Sequence, residues 1–355
     1  TQTGFSCMAP RDTVCSMIGG AGYIEYDFAN GLPGRYDDPE WVQPKYLLNW
    51  GRDSLRSNPD GTWGHSIIEL LKRGTKLINV DPRVNWLSTR ALYHMQLRPN
   101  TDTALAFGLL NVIINEDLYD HDFVEKWTYG FDQLAARAAE YPPERVAEIT
   151  GIPADLIVAS ARRYATAKPA SVQWGLKFDQ FKNGFGAAMG CAALWALTGN
   201  IDVPGGMMIP RCAYDIPDSY GCGMWNLSDE MLGKMLGVET SPLHALGFDP
   251  TANGDTVLNA IETGEPYPIK MLFIQSTNPI ANMAADAPRV YRAMRSVSYN
   301  VVVDVFMTPT AIACADIVLP CGMSSERNSA RVWWWPLRSI VKVADYYEAK
   351  SDEQI

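Results

Sequence analysis

Trp50-Gly51-Arg52-Asp53-Ser54 follows an apolar run and has the makings of a phosphate-binding turn. Gly51 lets the backbone approach an oxyanion, the helix that follows offers free N–H groups, and Arg52 and Ser54 are further donors. An ordinary strand-to-helix turn can carry the same letters, so this motif alone decides little. Asp81-Pro82-Arg83 closes the next apolar run, and Arg98-Pro99-Asn100-Thr101-Asp102 opens a helix. An aspartate in a first helical turn ordinarily caps it or faces its dipole. One carboxylate can also accept the adjacent ring N–H and amino group of guanine, which adenine does not offer. Asp81 and Asp102 are therefore candidates to select guanine.

The elements that must position these residues are readable from the apolar pattern. KYLLNW, GRDSLRSN, a helical HSIIELLKRG and KLINVDPR form one β-loop-α-β unit; KMLFIQ, STNPIANM, APRVYRAMRS and YNVVVDVF form a second. Continuous apolar runs such as LLNW and VVV suit parallel strands covered on both faces. Ligands of such sheets bind at the carboxyl ends of the strands, where Trp50 to Ser54, Asp81 to Arg83, Ser276 to Pro279 and Asp304 fall. ASVQWGLK is a third strand candidate, leading through QFKNG into the helix AAMGCAALWALTGN. TALAFGLLNVIINE, DHDFVEKWT and PADLIVASARRYAT read as helices. The expected fold class is α/β with two Rossmann-like parallel-sheet domains, 1–210 and 211–355, divided near the Gly/Pro-rich VPGGMMIPRCAYDIPDSYGCG.

At 355 residues and 47% hydrophobic side chains the chain can bury substantial cores. A formal charge of -10 disfavours nucleic acid or an anionic membrane as the main partner and leaves small molecules and proteins. The longest charge-free apolar stretch, 186–201, is broken by glycines and too short to cross a bilayer. The 7 cysteines (Cys7, Cys15, Cys191, Cys212, Cys222, Cys314, Cys321) form no C-x-x-C pair or iron–sulfur run. Cys191 and Cys314 read as small buried hydrophobes. His65, His94, His121 and His244 show no zinc-ligand spacing. The chain starts without Met and ends in a charged stretch, and it is expected to be a central piece of a longer subunit.

The succession WGRDS, INVDPR, LRPNTDTALAFGLLNVIINE, VQWGLKFDQFKNG, LTGNIDVPGG, QSTNP, VVDVFMTPTAIACADIVLP and SSERN resembles the dimethyl sulfoxide reductase family of molybdopterin oxidoreductases. Each motif is weak alone; eight in the family's order across nearly the whole chain are specific. Three departures stand out. Asn100 replaces the glycine of R-P-G-T-D, Asp202 replaces the second glycine of T-G-N-x-G, and SSERNSARVWWWP only partly echoes the block after A-D-x-V-L-P. Trp333, Trp334 and Trp335 are read as packing residues rather than a substrate funnel.

The resemblance implies a bis(molybdopterin guanine dinucleotide) cofactor with Mo or W. Trp50, Gly51, Arg52, Asp53, Ser54, Asp81, Arg83 and Asp102, with Arg98 and Asn100 of the same motif, would hold one arm. Gly175 and Lys177, with Ser276, Asn278, Asp304 and Thr308, would hold the other, so that the two units form a pseudo-symmetric pair. The metal ligand of the family lies upstream of the first dinucleotide loop. Cys15 in RDTVCSMIGG is placed suitably, with Asp12, Ser16 and Cys7 as nearby alternatives, and a soft thiolate suits such a metal. Ser16 follows it where formate dehydrogenases have histidine, which lowers the weight of that substrate class. A [4Fe–4S] cluster is expected in a preceding segment and a further barrel domain in a following one. An iron–sulfur partner subunit, a membrane anchor subunit and a small-molecule substrate are implied, in a periplasmic, cell-envelope or cytoplasmic setting. The expected reaction is two-electron oxygen-atom or hydroxyl transfer, with non-redox hydration or hydroxyl transfer and a metal-free iron–sulfur relay subunit as rivals.

Overall fold

A computed structural model of the chain describes residues 5–18, 24–29, 32–57, 63–209, 227–240, 242, 252–283, 286–323, 329–331 and 341–343. Cys212, Cys222, the 324–328 SSERN block, the three tryptophans at 333 to 335 and the expected boundary near 210 lie outside the described residues, as does the side chain of Cys7.

Strands β2 (Tyr46–Trp50), β3 (Lys76–Val80), β4 (Tyr93–Met95) and β5 (Ala170–Trp174) form an all-parallel sheet in the order β4-β3-β2-β5. Helices α2 (Ser54–Ser57) and α3 (Trp63–Lys72) join β2 to β3, and α3 buries Ile67 and Leu70. Between β4 and β5 run α4 (Asp102–Asn115), α5 (His121–Trp127), α6 (Phe131–Ala139), α7 (Pro143–Thr150) and α8 (Ala154–Ala165). Helix α4 is apolar nearly all round because α6, α7, α8 and α9 (Gly184–Leu197) all pack on it. The sequence placed β2, β3, β5, α3, α4, α5, α8 and α9 to within a few residues, but not β4, α6 or α7. Helix α1 (Phe5–Ile18), with Pro10 inside it, was not legible and lies against α9 and the 3-10 turn Leu176–Asp179. Strand β1 (Glu25–Tyr26) pairs antiparallel with β6 (Met207–Met208).

A second parallel sheet, β7 (Met271–Gln275), β8 (Tyr299–Asp304) and β9 (Ile317–Pro320), has its own buried cluster around Ile274, Val290, Met294 and Val302. The helix Ala287–Ser296 connects β7 to β8 as the sequence indicated. Coverage on both faces holds for β2, β3 and β5 but not for β7: Met271 and Phe273 are 51% and 60% exposed. Strand β7 is an edge of its sheet.

In the first sheet the penultimate residue of every strand is polar and in register: Gln173 opposite Asn49, Asn49 opposite Asn79, and Asn79 opposite His94. Asn49 Nδ2 donates to Asn79 Oδ1 at 2.6 Å and to the Arg52 carbonyl at 2.8 Å. Gln173 Nε2 donates to Ser54 Oγ at 2.8 Å. This buried row pins the loops that leave the strand ends, since a buried amide without its partner costs about 1–3 kcal/mol.

Candidate cofactor site

The turns after β2 and β5 touch. Gly51 has φ +63°, and a Cβ on it would stand 2.5 Å from Lys177 Cβ; one on Gly175 would stand 2.4 Å from the Gly51 carbonyl. Only glycine fits either place. Phe178 is wedged between Trp50 and Trp174, ring centroids 5.4 and 5.8 Å away, which fixes the 175–179 turn over the sheet edge.

Around that junction the structure gathers Trp50, Gly51, Asn100 and Asp102 of the first expected set. The Trp50 indole donates to Asp102 Oδ1 at 3.0 Å, Lys177 Nζ donates to Asn100 Oδ1 at 2.6 Å, and the same ammonium stands 4.0 Å from Asp102 Oδ2. Gly175 and Lys177, expected with the second arm, thus lie against residues expected for the first. Burial raises the Asp102 pKa, against the opposing Trp50 hydrogen bond and Lys177 charge. Asp102 Oδ2 and Asp53 Oδ2 are buried acceptors without a hydrogen-bond partner.

Other expected residues have partners elsewhere. Arg52 lies over the Trp63 ring at 4.2 Å, donates to the Trp174 carbonyl at 3.3 Å and stands 3.8 Å from Glu25. Ser54 is buried beneath Gln173 and Arg52. Arg98 donates to the Glu148 and Ile149 carbonyls at the end of α7. Asp81 accepts from Arg83 N at 2.8 Å and Asn85 Nδ2 at 3.2 Å within its own loop, while the Arg83 side chain is exposed. The partners of Arg52, Ser54 and Arg98 among these come from segments distant in sequence, which is why local motifs did not reveal them.

The second set converges at the carboxyl ends of β7 and β8. Asn278 Oδ1 accepts from Thr310 Oγ1 at 2.6 Å, Thr308 Oγ1 caps the helix Pro309–Cys314 by accepting from Ala311 N, and Asp304 Oδ1 accepts from Phe306 N at 3.1 Å.

Asn100, Asp202 and Ser276 have φ of +70°, +52° and +56°. The two glycine replacements noted in the sequence, and the serine of QSTNP, therefore fall where the backbone is left-handed. Asn and Asp tolerate that region best; serine does not. Ser276→Gly is expected to stabilise the chain by about 0.5–1 kcal/mol, strain relief outweighing the entropy glycine adds to the unfolded state. A lower denaturant midpoint for the variant would show that the serine side chain compensates.

Cys15 is fully buried on α1, and its Sγ accepts the Ile24 N–H at 3.3 Å. Burial pushes its thiol up to about 12, so without a metal it holds its proton. Among the described residues no three His, Cys, Asp or Glu side chains cluster to hold a metal, so a ligand role for Cys15 needs donor atoms from outside them.

Two buried groups escaped sequence reasoning. Asp179 accepts from Arg11 and is pushed up to about 6 by burial, and Glu25 is pushed up to about 7, burial outweighing the nearby Arg52 and Arg11 charges. A folded pKa above the unfolded one favours the protonated folded state. The stabilising contribution of Glu25 is therefore fully present below the ordinary value of 4.5 and is lost as pH rises through about 7. Glu25→Gln should flatten the fall in stability across that window, read by denaturant titration at successive pH values; parallel curves would contradict it.

Residues 7–332 match the molybdopterin oxidoreductase family. The chain belongs to this family. It is 33% identical over 333 residues to acetylene hydratase of Syntrophotalea acetylenica, covering 85% of this chain and 44% of that protein. It is 30% identical over 292 residues to the F420-dependent formate dehydrogenase 2 subunit alpha of Methanococcus maripaludis, covering 81% of this chain and 42% of that one. The solved acetylene hydratase from Pelobacter acetylenicus superposes with a TM-score of 0.83 at 31% identity, over 98% of this chain and 49% of that one. The chain thus spans about half the length of these relatives, and its α/β fold with parallel sheets matches that of the acetylene hydratase structure.

Membership of a molybdopterin oxidoreductase family implies a molybdenum or tungsten pterin cofactor. The residues present fit a nucleotide-bearing group. Two buried carboxylate oxygens await donors, an ammonium 23% exposed stands beside one of them, and the glycine turns keep side chains away from the strand ends.

Proposed function

We propose that this chain is the cofactor-holding part of a molybdenum- or tungsten-dependent oxidoreductase that binds a bis(molybdopterin guanine dinucleotide), with Cys15 as protein ligand to the metal. The observation that carries this is the junction of Gly51, Asn100, Asp102, Gly175 and Lys177 at the carboxyl end of one parallel sheet, with Asp102 Oδ2 lacking a hydrogen-bond partner. The bound group would supply two-electron oxygen-atom or hydroxyl transfer on a small molecule.

The chain supplies the rest. Asn100 and Asp102 hold the Lys177 ammonium toward a phosphate, and the Gly51 and Gly175 turns admit the backbone to it. Asp53 and Asp102 offer acceptors to guanine or ribose donors. Ser276, Asn278, Asp304 and Thr308 serve the second arm, and the two β-loop-α-β units, 1–210 and 211–355, act as a pseudo-symmetric pair. Cys15 gives up its proton and presents a soft thiolate. A [4Fe–4S] cluster outside these residues and an iron–sulfur partner subunit, with a membrane anchor, would carry electrons. A relative named as a subunit alpha supports an assembly.

The likeness to acetylene hydratase supports a second reading, net hydration or hydroxyl transfer without an electron partner. Anaerobic turnover of the full-length enzyme separates the two. Reduction of oxyanions, N- or S-oxides or hydroxylated aromatics only with a reduced viologen supports the oxidoreductase; full turnover of an alkyne or hydroxyl acceptor with no electron source supports the other.

A further inference from the structure

We infer that Asn100 is a positioning residue whose side chain aims the Lys177 ammonium at the nucleotide-bearing group. The inference rests on the strand-end junction holding that group, as proposed above, and is independent of which residue binds the metal.

Asn100 has φ +70°, where glycine is unstrained and asparagine is among the side chains best tolerated. The backbone alone therefore asks for the glycine of R-P-G-T-D, and the amide that replaces it serves something else. Its Oδ1 accepts from Lys177 Nζ at 2.6 Å across 77 positions of sequence, and among the described residues it is the one hydrogen-bond acceptor of that ammonium. The other neighbours of the ammonium supply charge without direction. Asp102 Oδ2 stands 4.0 Å away, beyond hydrogen-bond reach, and Phe181 presents a ring with its centroid at 4.7 Å. The lysine stem lies across Gly51, where an added Cβ would meet Lys177 Cβ at 2.5 Å and Cγ at 3.2 Å. Stem and amide together hold the ammonium between the β2 turn, the β5 turn and the start of α4. Asn100 engages one of its N–H donors; the rest are left for a ligand, with the unpartnered Asp102 Oδ2 beside them.

The anchor itself is stiff. Arg98 N donates to the Thr150 carbonyl at 2.7 Å, the Arg98 guanidinium donates to the Glu148 and Ile149 carbonyls, and Thr101 Oγ1 donates back to the Arg98 carbonyl at 2.6 Å. Loop 98–101 is thus tied to the end of α7 before any ligand arrives, and Asn100 passes that rigidity to a long, flexible lysine. Ordering such a side chain in advance removes a cost that binding would otherwise carry, about twofold to tenfold in affinity.

The test uses the full-length holoenzyme and the same chain produced without cofactor, as Asn100→Gly, Lys177→Met and the two combined. Without cofactor, Asn100→Gly should unfold at a denaturant concentration no lower than the parent's, since glycine relieves the left-handed backbone. Its holoenzyme should nevertheless release guanine nucleotide about twofold to tenfold faster. Lys177→Met, which keeps the stem, should release it at least as fast, and adding Asn100→Gly should change nothing further, because the amide acts through the ammonium. In the cofactor-free chain, acylation of Lys177 by a succinimidyl ester, read by peptide mass spectrometry, should be about threefold faster in Asn100→Gly, where the charged amine has lost its acceptor. Faster release from Lys177→Met with parent-like release from Asn100→Gly would overturn the positioning role alone. So would an Asn100→Gly effect that persists undiminished in the Lys177→Met background. Parent-like release from Lys177→Met would overturn the nucleotide reading of this junction, and this inference with it.

Discussion

Cys15→Ser is expected to keep most of its metal and its fold while losing turnover by about a hundredfold or more, with an altered paramagnetic signal. The change exchanges a soft donor for a hard one in a fully buried position on α1, where the Ile24 N–H already faces the sulfur. The thiol, pushed up to about 12, becomes an anion only when a metal takes the place of its proton. The pterin arms would still hold the metal, so loss of activity and loss of metal should separate. A thiol that merely fills space predicts the reverse: about 1 kcal/mol of stability lost to a hydroxyl in an apolar pocket, with near-normal turnover and an unchanged spectrum. That outcome would move the ligand to Asp12, Ser16 or Cys7.

Asp102→Ala should lower cofactor occupancy rather than turnover per bound cofactor. The substitution strips the Trp50 indole of its acceptor and removes the carboxylate beside Lys177. A charge-assisted hydrogen bond contributes about 1.5–3 kcal/mol, so affinity should fall roughly tenfold to a hundredfold. Asp304→Ala tests the second set in the same way, releasing Phe306 N at the end of β8. Nucleotide released per mole of purified protein measures both. Full occupancy in both variants would refute a cofactor gripped at two sheet edges.

Much of this architecture was legible because it is local. YLLNW, KLINV, ASVQW and YNVVVD became strands, and APRVYRAMRS the helix Ala287–Ser296, since apolar periodicity follows the element that must bury it. The polar row of Asn49, Asn79, His94 and Gln173, each one residue before a strand end, emerged only from the strand register. The left-handed turns showed as Asn100 and Asp202 in place of glycine.

What was not legible depends on long-range pairing. Arg11 meets Asp179 across 168 positions, and Arg52 turns inward because Glu25 and the Trp174 carbonyl come from other segments. Helix α1 gives no sequence signal, because its apolar residues have no helical period and Pro10 lies within it. The contacts of Lys177 were not legible for the same reason. Its partners Asn100 and Asp102 lie across the sheet edge rather than nearby in the chain.

Acid release of nucleotide from the full-length protein, with metal analysis on the same sample, bears on all of this at once. The expected result is one Mo or W per chain and about two guanine nucleotides per metal, one for each set of strand-end loops. A tightly bound nicotinamide dinucleotide with no molybdenum or tungsten would contradict it.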